Sequence, residues 1–369
     1  VDGTIDPHVN NVESISRQLR RHWPSIEAAR IAAQDVQRLL SQILPKVSSA
    51  DIDVVAFGSL ARQEWTIGSD VDWTILVDSP AELEHRQLAR EVEMAIAQAS
   101  YKGRRLPQYG SQGVAAHLTF SHDIVHNIGG DADTVRNSMW RNLLLVESAP
   151  LRQPGSDNDS GSHGRVARTI LSRYLHDDTT RDSVGSSDSR IPRLLLNDIV
   201  RHWRTMCVGF AHKEWDESGG GKWALRNMKL KMSRKLIFVA GLLTVFSCYR
   251  NASLRLDAAS EHAHVRTILS HLMNFVRSTP LNIVAWAFSR LGLFEEAGSV
   301  FDCYDTFIGY LNDEGLRNHL QAISPNALFE DRQFLAIREV CHHFQDGLSN
   351  AFFRADTELR DFTIKYGVF

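Results

Sequence analysis

Apolar residues recur along this chain with two spacings, and the change from one to the other divides it into unlike halves. Before residue 121 they come in short β-rich runs: Val54-Val55-Ala56-Phe57, then Trp73-Thr74-Ile75-Leu76-Val77, then the alternating stretch 114–120. Runs of this length and composition predict strands, and the stop at Gly58-Ser59 predicts a tight turn and a short helix between the first two. From Ile191 onward nearly every segment has helical period: 191–214, 222–249, 258–278, 281–293, 297–312 and 329–366. Helical spacing also precedes the strands. Ile15, Leu19, Trp23, Ile26, Val36 and Leu40 predict one or two helices over 11–46, broken at Pro24 and covering a face of the sheet. Ser79-Pro80 opens a further helix over 81–99, with Leu83, Leu88, Val92, Ile96 and Ala99 on its inner side. Residues 102–113 read as a loop, and Asp133-Thr134 opens a helix over 135–147.

The clearest interruption is 153–164, QPGSDNDSGSHG, which is small, polar and Gly-rich and reads as a linker. A second polar stretch, 179–189, reads as a mobile loop. The expected organisation is α+β: a small mixed sheet with N-terminal helices in 1–152, the linker 153–164, and an all-helical domain in 165–369. No internal repeat of fixed period is present.

Composition narrows the class. A chain of 369 residues has enough length for two cores, and 43% hydrophobic with 23% charged residues is the balance of a soluble globular protein. The formal charge of −3 places no global demand for nucleic acid, so any such contact must come from a local basic patch. Cys207, Cys248, Cys303 and Cys341 are scattered, which argues against a zinc site or a disulfide framework and fits a reducing cytoplasm. The longest apolar run, Leu236 to Phe246, is too short to span a bilayer and reads as a buried helix; no signal peptide and no membrane partner are expected.

Chemistry concentrates around Gly58. Asp70 and Asp72, two apart at the start of a strand, point to one face. Two adjacent carboxylates repel and raise each other's pKa unless a cation lies between them, and Mg²⁺ suits one or two carboxylates plus substrate phosphates. Gly58 lets the backbone approach a phosphate, to which the Ser59 hydroxyl and nearby amides can donate. Together these residues describe a site for a metal and a triphosphate.

Gly58-Ser59, ten residues, then Asp70-Val71-Asp72 resembles the signature of the DNA polymerase β-type nucleotidyltransferases. Arg62, Glu64 and the second Gly68-Ser69 resemble the bacterial branch that includes the PII-protein uridylyltransferases. The resemblance implies a small mixed-sheet nucleotidyltransferase domain followed by an all-helical one, Mg²⁺ or Mn²⁺ on Asp70 and Asp72, and an NTP as donor. It also implies a third carboxylate on the third strand. No acid lies within 114–120, and Asp123 is the nearest candidate; Asp131 and Asp133 read as caps of the next helix. Without a third acid the general base is missing, replaced by water, or supplied by the substrate. In two-domain relatives a second-domain helix gives a Lys and a Ser to the triphosphate, and in the basic stretch 222–235 this pair is Lys229 and Ser233.

Other candidates carry less. Arg62 is expected to reach a phosphate or to clamp Asp70 or Glu64. Asn197 and Arg201 either face the cleft or form an ordinary polar helix side. Residues 218–222 lack the leading Gly and the Ser/Thr of a P-loop, and His117, His122 and His126 have no metal-ligand spacing. Three readings therefore stand: a nucleotidyltransferase acting on a protein, RNA or small-molecule acceptor, with a protein favoured; a nucleotide-binding regulatory module with little catalysis; and a toxin that modifies tRNA ends.

Overall fold

The structure is a computed structural model that describes residues 4–45, 49–107, 118–152, 161–179, 191–216, 222–250 and 261–368. Helix α1 (Asn11–Leu19) starts where the Asn10 side chain accepts from Glu13 N and stops at Arg20, whose φ of 53° ends the helical path. Helix α2 (Pro24–Ile43) begins at the expected proline, which is pre-organised for a first helical position.

Strand β1 (Ile52–Phe57) runs into the four-residue helix α3 (Gly58–Ala61), and β2 (Asp72–Val77) returns antiparallel with Phe57 opposite Asp72. This is the strand, turn, short helix and strand that the apolar runs predict. Helix α4 (Leu83–Gln98) starts later than expected, because Glu82 and His85 form a reciprocal capping box that takes the place of Ser79-Pro80. That phase leaves Leu83 81% exposed, contrary to the expected inner face. Five residues separate it from Leu88, about 140° around a helix. Across the start of the stretch read as a loop, β3 (Ser100–Tyr101), just before it, and β4 (Arg104–Arg105), within it, form a small hairpin; its turn residues, Lys102 and Gly103, both have positive φ. Of the expected third strand, 114–117 lie outside the described residues. The rest is β5 (Leu118–Phe120), parallel to β2, followed directly by α5 (Ser121–His126).

Helix α6 (Val135–Val146), capped by Thr134, leads into β6 (Ser148–Pro150), which pairs antiparallel with β1 and was not foreseen. The mixed sheet has the order β5-β2-β1-β6. Both of its faces are covered, which accounts for the continuous apolar runs of β1 and β2. Val54, Ala56, Ile75 and Val77 face Ala33, Val36 and Leu40 of α2 and Val92 and Ile96 of α4. Val55, Phe57 and Leu76 face the core shared with the helical half, and Phe57 meets Trp140 of α6 edge-on at 5.6 Å.

Residues 153–160 of the expected linker, and 180–189 of the expected mobile loop, lie outside the described residues. The remaining linker residues are anchored: Ser162 opens α7 (Ser162–Thr179), and Asp53 accepts from His163 N at 2.8 Å and Arg152 Nε at 2.6 Å. Helices α8 (Arg193–Asp216), α9 (Trp223–Lys229), α10 (Lys235–Arg250), α11 (Glu261–Val276), α12 (Pro280–Leu291), α13 (Phe294–Asn312), α14 (Glu314–Ala322), α15 (Arg332–Asn350) and α16 (Thr357–Phe362) complete the chain. The helix expected over 222–249 contains a π-turn, Leu230–Arg234, between α9 and α10. The run expected over 329–366 is broken where Asp356 caps α16. The helical stretch Trp223–Tyr249 is long and apolar enough to cross a membrane, yet its most apolar window is 78% buried inside the protein.

The N-terminal helices do not only cover the sheet. The first half of α2 packs on α13: Trp23 stacks on Phe301 at 4.9 Å and donates through Nε1 to Asp302, and Asp305 accepts from Ile26 N. Asn282 of α12 accepts from Asn11 N at 2.6 Å. Helix α2 thus has the sheet at one end and the helical half at the other.

A candidate active site at one end of the sheet

The end of the sheet where β1 stops and β2 and β6 begin carries Phe57, Asp72 and Ser148 in one row. The chain turns there through Gly58 at φ 66°, and a Cβ on Gly58 would lie 2.7 Å from Asp72 Oδ2. The first reason for glycine is thus steric. It leaves room for the Asp72 carboxylate above the turn, and a side chain here would be both strained and in collision. Ser59 follows, half-buried, with its carbonyl accepting from Glu64 N at 2.8 Å.

Asp70 precedes β2 and is exposed, Val71 is fully buried, and Asp72 is half-buried. The buried Val71, whose N–H donates to Pro107 O, pins the strand start so that the two acids flank an anchored residue. Neither carboxylate has a hydrogen bond or ion pair among the described residues. Burial pushes the Asp72 carboxyl up to about 6, helped by Asp70 and Glu147 and opposed by Arg62 and Lys229. The two acids therefore interact as their spacing predicts.

Across from them stands the π-turn region. Lys229 is half-buried with no hydrogen bond or ion pair among the described residues, and burial draws its ammonium down to about 8, assisted by Arg317 and opposed by Asp70. Ser233 lies one turn on and is buried, its Oγ donating to Lys229 O at 3.2 Å. Arg317 of α14 donates to Gly68 O, and a methyl group at Gly68 would fall on its guanidinium. The loop carrying Asp70 is therefore fastened to the helical half, with Asn312 Oδ1 accepting from Ile67 N as a further tie. The structure brings together Gly58, Ser59, Asp70, Asp72, Lys229 and, one turn behind it, Ser233.

Of the contacts expected of Arg62 the structure shows the clamp on Glu64, and Asp123 is placed differently from its expectation. Arg62 is 9% exposed; it donates through Nε to Glu64 at 2.9 Å and through Nη1 to Glu147. Tyr304 donates to the other Glu64 oxygen at 2.9 Å. With its guanidinium held between two glutamates, Arg62 braces the turn and lends positive charge to Asp72, and is not a free phosphate ligand. Asp123 is at the wrong end of the sheet. Because β5 is parallel to β2, Phe120 lies beside Val77, at the end away from Asp72. Ser121 confirms this by donating to Asp78. The exposed Asp123 therefore cannot join Asp70 and Asp72.

Residues 37–104 match the family model of the nucleotidyltransferase domain. The match runs from α2 through β1, the Gly58 turn and β2 to the β3–β4 hairpin, so it covers the strands that carry both acids. No curated protein sequence matches the chain.

The nucleotidyltransferase fold implies a divalent metal, and the donor set fits in part. Asp70 and Asp72 are hard oxygen ligands whose mutual repulsion Arg62 and Lys229 offset only in part, and a bound cation would relieve the rest. Among the described residues no group of three or more acids, histidines or cysteines converges to hold an ion, so substrate oxygens and water would complete its shell.

Sequence reasoning missed Glu147, Tyr304, Arg317 and the placement of Arg234. Glu147 follows α6 with no motif around it and reaches the site only because β6 pairs with β1. Asp133 does more than precede a cap, since it accepts from both terminal nitrogens of Arg141 at 3.0 and 2.8 Å. Arg201 joins the same cluster through Asp198 at 3.2 Å, whereas Asn197 is exposed. His122 and His126 are exposed neighbours on α5 at the far end of the sheet, and His117 lies outside the described residues.

Proposed function

We propose that the protein transfers a nucleoside monophosphate from an NTP to an acceptor hydroxyl, with release of pyrophosphate. The observation that carries this reading is the Asp70/Asp72 pair, without partners among the described residues, with Asp72 above Gly58 and Lys229, likewise without a partner among them, near enough for its charge to act on both acids. Carboxylates on one wall and cations on the other, with no partners of their own, are complementary to a metal-bound polyphosphate. Gly58-Ser59 and Lys229 bind and align the phosphates, Ser233 sets the Lys229 turn, and the Arg62–Glu64–Tyr304 brace fixes the turn beneath them. When bound by Asp70 and Asp72, Mg²⁺ or Mn²⁺ would lower the pKa of the acceptor hydroxyl and neutralise charge on the departing phosphates. Glu147, the third carboxylate near Asp72, is held by Arg62, and no other joins the pair among the described residues, so the acceptor's proton goes to water or substrate. A protein acceptor is the preferred reading, as in the resembled uridylyltransferase branch, with the cytoplasm as compartment.

The test is incubation with each labelled NTP, Mg²⁺ and a cell extract, followed by separation of protein, RNA and small molecules. Label on one class, lost in Asp72→Asn and Asp70→Asn proteins that melt normally, supports transfer and identifies the acceptor. The missing third acid favours a second reading, a nucleotide-binding regulatory module. Saturable Mg²⁺-NTP binding with no pyrophosphate release under any condition would select it over transfer.

A further inference from the structure

Helix α8 passes beside the candidate site and carries His202, which is 5% exposed and has no hydrogen-bond partner for either ring nitrogen among the described residues. An imidazole buried with both nitrogens unmatched costs about 1–3 kcal/mol for each unmatched group. Its position follows from packing on two sides. Asn142 of α6 donates to Asp198 O at 3.1 Å, one turn before His202, and α6 ends next to Glu147. On the other side Trp203 stacks on Phe238 at 5.5 Å, one turn beyond Arg234. His202 thus stands among Glu147, Arg234 and Asp198, the charged groups that act on it. Arg234 is half-buried at the end of the π-turn and forms no hydrogen bond or ion pair among the described residues, while Arg62 and Arg226 lie close enough to repel it. A guanidinium held near two others, beside an unsatisfied imidazole, is an arrangement that an anion completes.

The sheet register gives this anion site a direction. Asp72 on β2, Gly58 after β1 and Glu147 before β6 follow one another across the sheet end. Lys229 lies close enough to Asp70, and Arg234 to Glu147, for their charges to act on one another. We propose that Arg234 and His202 form the seat of the terminal phosphate of the nucleotide, so that the polyphosphate lies across the strand ends from β2 toward β6. On this assignment, which rests on the nucleotidyl-transfer reading, His202 donates a hydrogen bond and Arg234 two. The pair makes the site select triphosphates over diphosphates. The π-turn contributes directly, because its extra residue sets Lys229 and Arg234 on successive stations of one polyanion.

The test measures equilibrium binding of each NTP and the matching NDP, with Ca²⁺ to prevent turnover, to the full-length protein and to His202→Phe and Arg234→Met. Inorganic pyrophosphate serves as a base-free probe. The wild type should prefer NTP over NDP by tenfold or more. Each substitution should reduce that ratio toward one and weaken pyrophosphate by tenfold or more, with NDP affinity little changed. His202→Gln and Arg234→Lys, which keep a donor or the charge, should recover part of the ratio and serve if the first pair fails to fold. An unchanged ratio would mean that water alone satisfies His202, and an equal loss for NTP and NDP would reduce both residues to packing; either overturns the assignment. Labelled transfer by the wild type, scored in parallel, separates these results from failure of the underlying reading, in which no NTP binds and nothing is labelled.

Discussion

Two clusters of buried charge lie within this molecule, and they differ in whether their charges are matched. Around Arg141, fully buried, every donor is taken: Asp133 binds both terminal nitrogens, Asp198 accepts from Nε at 3.0 Å and Nη2 at 2.8 Å, and Tyr174 lies 2.7 Å from Nε. This cluster ties α6, α7 and α8 together and has nothing left to offer a ligand. Near the sheet end, Asp70, Asp72, Lys229 and Arg234 have no hydrogen bond or ion pair among the described residues. A buried ion that is fully paired holds a fold together, whereas ions left unpaired cost stability and are kept where a ligand completes them. Arg62, for which sequence reasoning left both a phosphate contact and a clamp on Glu64 open, belongs to the first kind.

The largest effect is expected from breaking the closed cluster. Arg141→Met leaves Asp133 and Asp198 buried without a counter-charge and should cost about 3–5 kcal/mol, read by urea denaturation. A loss below about 1 kcal/mol would show that the cluster is not closed.

Acid should act nearly as strongly on another fully matched contact. His163 is buried with Nε2 2.7 Å from Ser148 Oγ, and burial pulls its imidazole down to about 4, against the raising effect of Asp53. The unfolded chain takes up this proton near pH 6.5 and the folded protein only near 4. Stability should therefore fall by about 3 kcal/mol as pH drops through that window and level off below it. Replacement by Gln should flatten the slope, and an unaltered slope would remove His163 from the account.

The open cluster should respond with the opposite sign. Asp72 has its carboxyl raised from 3.8 to about 6, so the folded protein holds a proton that the unfolded chain has lost, and stability falls as pH rises through that range. Above it, in metal-free buffer, Asp72→Asn should raise stability by about 1–3 kcal/mol while abolishing transfer. A destabilised Asn variant would mean that Asp72 is a structural acid.

The smallest effect belongs to an exposed pair. Arg104 and Glu314 meet at 3.2 Å across the two halves with both side chains more than half exposed, and Arg104→Ala should shift stability by less than about 0.5 kcal/mol.

Much of the fold was legible because β1, β2 and the helical segments carry their periodicity locally. The acid pair and the glycine turn were equally readable, since a strand's two-residue repeat and a positive φ are properties of neighbouring residues. Asp123 was misplaced because chain order does not reveal that β5 is parallel to β2. Leu83 was misplaced because a cap at Glu82 and His85 set the helical phase. Strand β6 was missed because Ser148-Ala149-Pro150 has no strand character of its own and is held by pairing with β1.

By itself the sequence determined the short-range parts: where strands give way to helices, that Asp70 and Asp72 flank the start of a strand, and that Gly58 opens a turn beside Asp72. Only the tertiary structure decided that Arg62 is enclosed by Glu64 and Glu147, that Arg234 and His202 come within reach of the Glu147 charge, and that Asp123 lies at the other end of the sheet. The physical reason is range. Backbone periodicity and turn geometry act between residues a few positions apart, whereas the matching of buried charges depends on strand register and helix packing between segments far apart in the chain.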